Sequence, residues 1–72
     1  MSTTTHGPIF DDITETCIRV SFWIEDDGEY DDLAQLRKQQ DGSWLFEDLS
    51  NAHYSAEDLA HVALKLFELN GK

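Results

Sequence analysis

Apolar and polar residues alternate from 16 to 25. Ile18, Val20, Phe22 and Ile24 fall on one side, and Cys17, Arg19, Ser21, Trp23 and Glu25 on the other. A period of two in β-branched and aromatic residues predicts a strand with one buried and one wet face. The segment 33–40 reads less clearly, because Leu33 and Leu36 also have helical spacing. Asp41-Gly42 just before Trp44-Leu45-Phe46 is a hairpin signal, however. A second strand over 33–40 and a third over 43–49 are therefore preferred. An antiparallel register that pairs Leu36 with both Val20 and Phe46, and sets Ala34 opposite Phe22, collects the apolar residues on one face. Beyond the connection 51–54, Leu59, Val62, Ala63, Leu66 and Leu69 recur with helical spacing. Ser55 and Asp58 stand at the positions of a capping box, and Tyr54 and Leu59 at those of a hydrophobic staple. Asn70-Gly71 is a fitting stop.

These elements make an α+β chain, a three-stranded antiparallel β-meander packed by one C-terminal α-helix (β-β-β-α), with two layers around one core. Residues 1–8 are polar, end in Gly-Pro and read as a flexible N-terminal tail; 9–72 read as a single α+β domain. Ile9 and Phe10 are available to tuck against the body. Trp23, on the wetter side of its strand, is expected either beneath Phe10 or in a partner surface.

Composition changes the picture chiefly through charge. The 72 residues carry 15 acids against 5 bases, a formal charge of −10. That balance argues against direct binding to nucleic acid or an anionic membrane, which needs Lys and Arg, and favours a partner with a basic surface. The one cysteine, Cys17, has no internal disulfide partner, so a reducing cytoplasm is the expected compartment. No run is long and apolar enough for a transmembrane helix, and the start lacks the pattern of a secretory signal.

Candidate chemistry is sparse. Catalytic carboxyl pairs need contrasting environments in a cleft, which solvated neighbours do not supply. His6, His53 and His61 lack metal-ligand spacing. An EF-hand alignment that puts Gly28 at loop position 6 sets Trp23 at position 1 and Ala34 at position 12, which fails. Cys17 has only Arg19 as a nearby base and no histidine partner in its neighbourhood. The expectation is a non-enzyme with neither cofactor nor metal.

The dominant feature is the stretch Glu25-Asp26-Asp27-Gly28-Glu29-Tyr30-Asp31-Asp32, with six carboxylates in eight residues and no base. It reads as a loop between two strands. Alone it is equally a solvated turn serving solubility. Further acids at Asp11, Asp12 and Glu15, at Glu47 and Asp48, and at Glu57 and Asp58 extend it towards one broad acidic surface. Alternate residues of a strand lie about 6.5–7 Å apart, a scale on which carboxylates imitate rows of phosphates. Tyr30 and Trp23 are candidate apolar anchors.

In size, charge, polar start, meander and C-terminal helix, and above all in the acidic stretch 25–32, the chain resembles small acidic phage-encoded anti-CRISPR proteins that inhibit type I systems, with a lean to subtype I-C. The resemblance implies a DNA-mimicking surface that occupies a basic nucleic-acid-binding site on the Cascade complex, without catalysis, in the host cytoplasm. The partner-binding residues would be Glu25, Asp26, Asp27, Glu29, Tyr30, Asp31 and Asp32, with Glu47, Asp48, Asp11, Asp12, Glu57 and Asp58. The alternative is an immunity protein or antitoxin that masks the basic active site of a nuclease toxin.

Overall fold

The computed structural model describes residues 7–71. Strands β1 (Ile9–Thr14), β2 (Cys17–Ile24), β3 (Glu29–Lys38) and β4 (Trp44–Asp48) form an antiparallel meander in the order β1-β2-β3-β4, followed by helix α1 (Ala56–Leu69). The α+β class and the C-terminal helix agree with the sequence pattern. The strand count does not, for there are four strands and not three. The additional one, β1, pairs Ile9 with Ser21 and Asp12 with Ile18 at the sheet edge. Asp11 and Asp12 hide it, since acids are depleted in strands. At an edge, charge deters pairing with foreign strands. Of the tail expected over 1–8, residues 1–6 lie outside the described residues.

Leu36 faces Phe46, as expected, but on its other side it faces Ile18 rather than Val20, and Ala34 faces Val20 rather than Phe22. The offset is two residues, so parity survives and the apolar residues still share a face.

Parity is broken further along β3. Strict alternation from Leu36 and Ala34 would send Asp32 to the core face. Instead the ladder carries one extra residue, Leu33, between the pairs Val20–Ala34 and Ser21–Asp32. A bulge of this kind re-aims the side chains beyond it. Asp32 turns to the open face beside Ser21, and Tyr30 comes opposite Trp23. The acidic stretch 25–32 is thus not a loop throughout. Only 25–28 form the turn, and 29–32 belong to β3. The Gly28 N–H donates to the Ile24 carbonyl (2.8 Å) at a φ of 65°, a conformation that glycine adopts without a Cβ clash.

Ile18, Val20 and Phe22 of β2, Ala34 and Leu36 of β3 and Val62 of α1 are the buried apolar residues. Their side of the sheet is the one the helix covers. The Ser55 hydroxyl caps α1 by accepting the Asp58 N–H (3.1 Å). Tyr54, expected to staple Leu59 (45% exposed), has its ring against the core. Its ring packs between Phe22 and Phe46, at centroid distances of 4.8 and 5.8 Å. Trp23 is not beneath Phe10, which lies opposite Val20 on the helix side. The Trp23 ring meets that of Tyr30 edge-on at 5.3 Å, and the Tyr30 hydroxyl donates to the Gly7 carbonyl (3.1 Å).

The helix ends in a clamp. Asn70 Oδ1 accepts the Trp44 N–H (2.7 Å) and Asn70 Nδ2 donates to the Trp44 carbonyl (3.3 Å), which satisfies both backbone groups of an edge-strand residue. Asn70→Ala should lower stability by about 1–2 kcal/mol in urea unfolding, because both bonds are lost at once. An unchanged midpoint would show that the clamp does not hold helix to sheet.

Candidate functional site

Cross-strand partners share a face of the sheet, so the register sorts the acidic residues. On the open face lie Asp11, opposite Arg19, Asp32, opposite Ser21, and Glu47, opposite Gln35. This face holds the two arginines. Arg19 Nη1 pairs with Asp32 Oδ2 at 3.3 Å, and Arg37 Nε with Glu47 Oε1 at 3.8 Å. The Ser21 hydroxyl also donates to Asp32, and Gln35 Nε2 to Glu47. Cys17 Sγ donates to Gln35 Oε1 (3.3 Å). The open face is therefore a cross-linked polar ladder in which charge is largely balanced.

On the helix side lie Asp12, opposite Ile18, Glu29, opposite Ile24, Asp31, opposite Phe22, and Asp48, opposite Ala34. Among the described residues, none of these four has an ion-pair partner. Glu29 and Asp31 continue from the exposed turn residues Glu25, Asp26 and Asp27. The Tyr54 ring touches Phe22, the partner of Asp31, and the Tyr54 hydroxyl donates to Asp48 Oδ1 (2.6 Å). Tyr54 leads directly into the helix cap at Ser55, with Glu57 and Asp58 in the first turn. The turn, the near end of β3, Asp48 and the helix start thus share one end of the molecule. Asp11 and Asp12 stand apart from it, part-way along β1, and Glu47, next to Asp48 in β4, turns to the open face.

The sequence-derived set therefore divides. Glu25, Asp26, Asp27, Glu29, Asp31, Glu57 and Asp58 form an uncompensated acidic end. Asp32 and Glu47 are committed to arginines, and Tyr30 to Gly7. Asp48 is an anchor, for besides Tyr54 it accepts the N–H groups of Ser50 (3.2 Å) and Asn51 (3.1 Å). The Tyr54 hydroxyl, ahead of those backbone N–H groups, holds the Asp48 carboxyl below the usual aspartate range. The Ser21 hydroxyl, and after it Arg19, does the same for Asp32. The Ser43 N–H and hydroxyl do so for Asp41 in the β3–β4 turn. Burial, and then the hydrogen bond to Asp48, raises the Tyr54 phenol.

A second feature escaped the sequence reading. At the opposite end of the sheet an open cleft of about 530 Å³ is lined by Asp12, Ile13 and Thr14 of β1, by Glu15 of the turn after it, by Ile18, and by Trp44 and Leu69. Trp44 carries no mark in the sequence beyond that of a strand apolar residue, and its strand, β4, is at the other edge of the sheet from β1.

Among the described residues no group of three or more His, Cys, Asp or Glu side chains is placed to hold a metal ion. No helix there is long and apolar enough to cross a membrane. His6 lies outside the described residues, His53 and His61 are exposed, and a side chain at Gly7 would meet the His61 ring.

No family model matches the chain, and neither does any curated protein or solved structure at a significant level.

The Asp48–Tyr54 bond has a two-sided pH signature. A depressed aspartate contributes stability that is present above its unfolded value and lost as pH falls through its folded one. A raised phenol contributes stability that is present below its unfolded value, about 10, and lost as pH rises through the folded one. Stability should fall below about pH 4 and again above about pH 10. Tyr54→Phe should flatten the alkaline limb and part of the acid limb in pH-dependent melting. Limbs identical to those of the parent would contradict the pairing.

Proposed function

We propose that this chain is a non-catalytic inhibitor that sets its acidic end into a basic nucleic-acid-binding site, as the anti-CRISPR proteins it resembles do with type I Cascade. The observation that carries the reading is the sidedness of charge. The bases Arg19 and Arg37 are spent on the open face, each with its carboxylate. The turn carboxylates, Glu29, Asp31 and Glu57 are exposed, Asp58 is half-buried, and none of them has an ion-pair partner among the described residues. Spreading the bases evenly would serve solubility as well; concentrating uncompensated charge at one end serves recognition of a cationic groove. The three carboxyls with perturbed acidity, Asp32, Asp41 and Asp48, are all held towards the charged form. None of these is tuned as a general acid for neutral pH. The partner is a basic nucleic-acid-binding protein, and the chain itself leaves nucleic acid and membranes alone.

Competition for target DNA tests the proposal. Saturating protein should block DNA binding by a type I Cascade, with the subtype I-C complex the first to try, while the protein alone retains no DNA. The Glu25→Gln, Asp26→Asn, Asp27→Asn, Glu29→Gln variant should block about tenfold less well at low salt, with the difference narrowing as salt screens the charges. Unhindered DNA binding at saturating protein would overturn the proposal. Abolition of one nuclease toxin's activity, with Cascade untouched, would establish the immunity reading instead.

A further inference from the structure

We propose that the cleft at the end of the core away from the acidic turn receives an arginine side chain of the partner. The source of that arginine rests on the basic protein proposed above; the chemistry of the cleft is tested without it. Ile18, Trp44 and Leu69 give the cleft an apolar floor, and Asp12, Ile13 and Glu15 line it from the β1 side. Its volume of about 530 Å³ lies within the range of ligand pockets, and it opens to solvent. The β1 ladder is interrupted here, with Ile13 as the extra residue between the pairs Asp12–Ile18 and Thr14–Cys17. Bulges are over-represented at sheet edges and beside sites, where they re-aim a side chain or end the pairing.

The occupant follows from the lining. Its only charged groups are Asp12 and Glu15, and neither has an ion-pair partner among the described residues. Lys65 is not available to them in this structure, since its ammonium pairs with Glu68 (3.4 Å) and lies 5.7 Å from the Phe10 ring centroid. A purely apolar occupant would strip water from the two carboxylates and return no bond. A second copy of this chain would bring a charge of −10 against another −10. A guanidinium meets both demands. Its planar faces stack on an aromatic ring, its weak hydration makes burial cheap relative to an ammonium, and its fork of N–H donors reaches carboxylates at a rim. Arginine is also enriched among the residues that dominate binding at protein interfaces.

The test is an amide and indole NMR titration of the full chain with a capped alanine–arginine–alanine tripeptide, against the same peptide with neutral citrulline in place of arginine. The arginine peptide should give saturable shifts centred on Ile18, the Trp44 indole N–H and Leu69, and the citrulline peptide should not. The Asp12→Asn, Glu15→Gln variant, checked for an otherwise unchanged spectrum, should bind the arginine peptide about fivefold more weakly. Equal binding of citrulline, shifts confined to 25–31, or no saturable shift would each overturn the proposal. So would concentration-dependent shifts at the cleft without peptide, which would mark a second copy as the occupant. In the Cascade competition, Asp12→Asn, Glu15→Gln should also block less well. Full blocking by that variant, alongside loss on neutralising the turn, would remove the cleft and leave the proposed function standing. Saturable arginine binding without any effect on Cascade would do the reverse.

Discussion

Asp32 is the residue on which the geometry turns. It lies two positions from the buried Ala34 on a strand whose core parity would otherwise carry it beneath the helix. An ionised carboxylate enclosed by Val20, Phe22 and Tyr54 would cost several kcal/mol without a partner. The extra residue at Leu33 removes that conflict. It rotates Asp32 to the open face, where the Ser21 hydroxyl and Arg19 meet it. The ion pair itself is solvent-exposed and worth no more than about 1 kcal/mol. What matters is the conflict avoided, and the parity change that every residue N-terminal to the bulge inherits.

Two further placements follow from that change. Tyr30 reaches the open face, packs on Trp23 and ties the Gly7 carbonyl, which fixes the chain ahead of β1. Glu29 and Asp31 go to the helix side, where they join the turn 25–28 and the start of α1. The same device that keeps a carboxylate out of the core therefore concentrates free charge at one end. Asp48 completes that end by a different route, since its bonds to Ser50, Asn51 and Tyr54 hold the β4–α1 connection in place. Asn51, at a φ of 56°, takes a left-handed conformation in this connection that asparagine tolerates.

Much of this was legible in the sequence. The alternation of Ile18, Val20 and Phe22 marks the central strand, and the Ser55 cap with the Asn70-Gly71 stop brackets the helix closely. Those signals are local, and the structure uses them locally. β1 was not legible, because its acids obey the logic of an exposed edge rather than that of a half-buried strand. The bulge was not legible either, because its cause is tertiary: Asp32 is inadmissible in the core only once Val20 and Phe22 are known to face it. The candidate site suffered the same limit. Residue type alone grouped Asp32 and Glu47 with Asp26 and Asp27, whereas Arg19 and Arg37 neutralise the first two from neighbouring strands. The cleft at Trp44 joins residues from β1, β2, β4 and α1, and no linear pattern connects them.

In the proposed complex the unpaired helix-side acids, foremost those at the turn 25–28, meet the partner, and the balanced open face does not. Carbodiimide labelling of carboxyl groups, read residue by residue by mass spectrometry in the free chain and after addition of the proposed partner, a type I Cascade, measures this directly. Glu25, Asp26, Asp27, Glu29, Asp31 and Glu57 should lose reactivity when Cascade is added, while Glu47 and Asp41 label as they do in the free chain. Turn carboxylates that stay fully reactive in the complex, with protection on the open face instead, would contradict it.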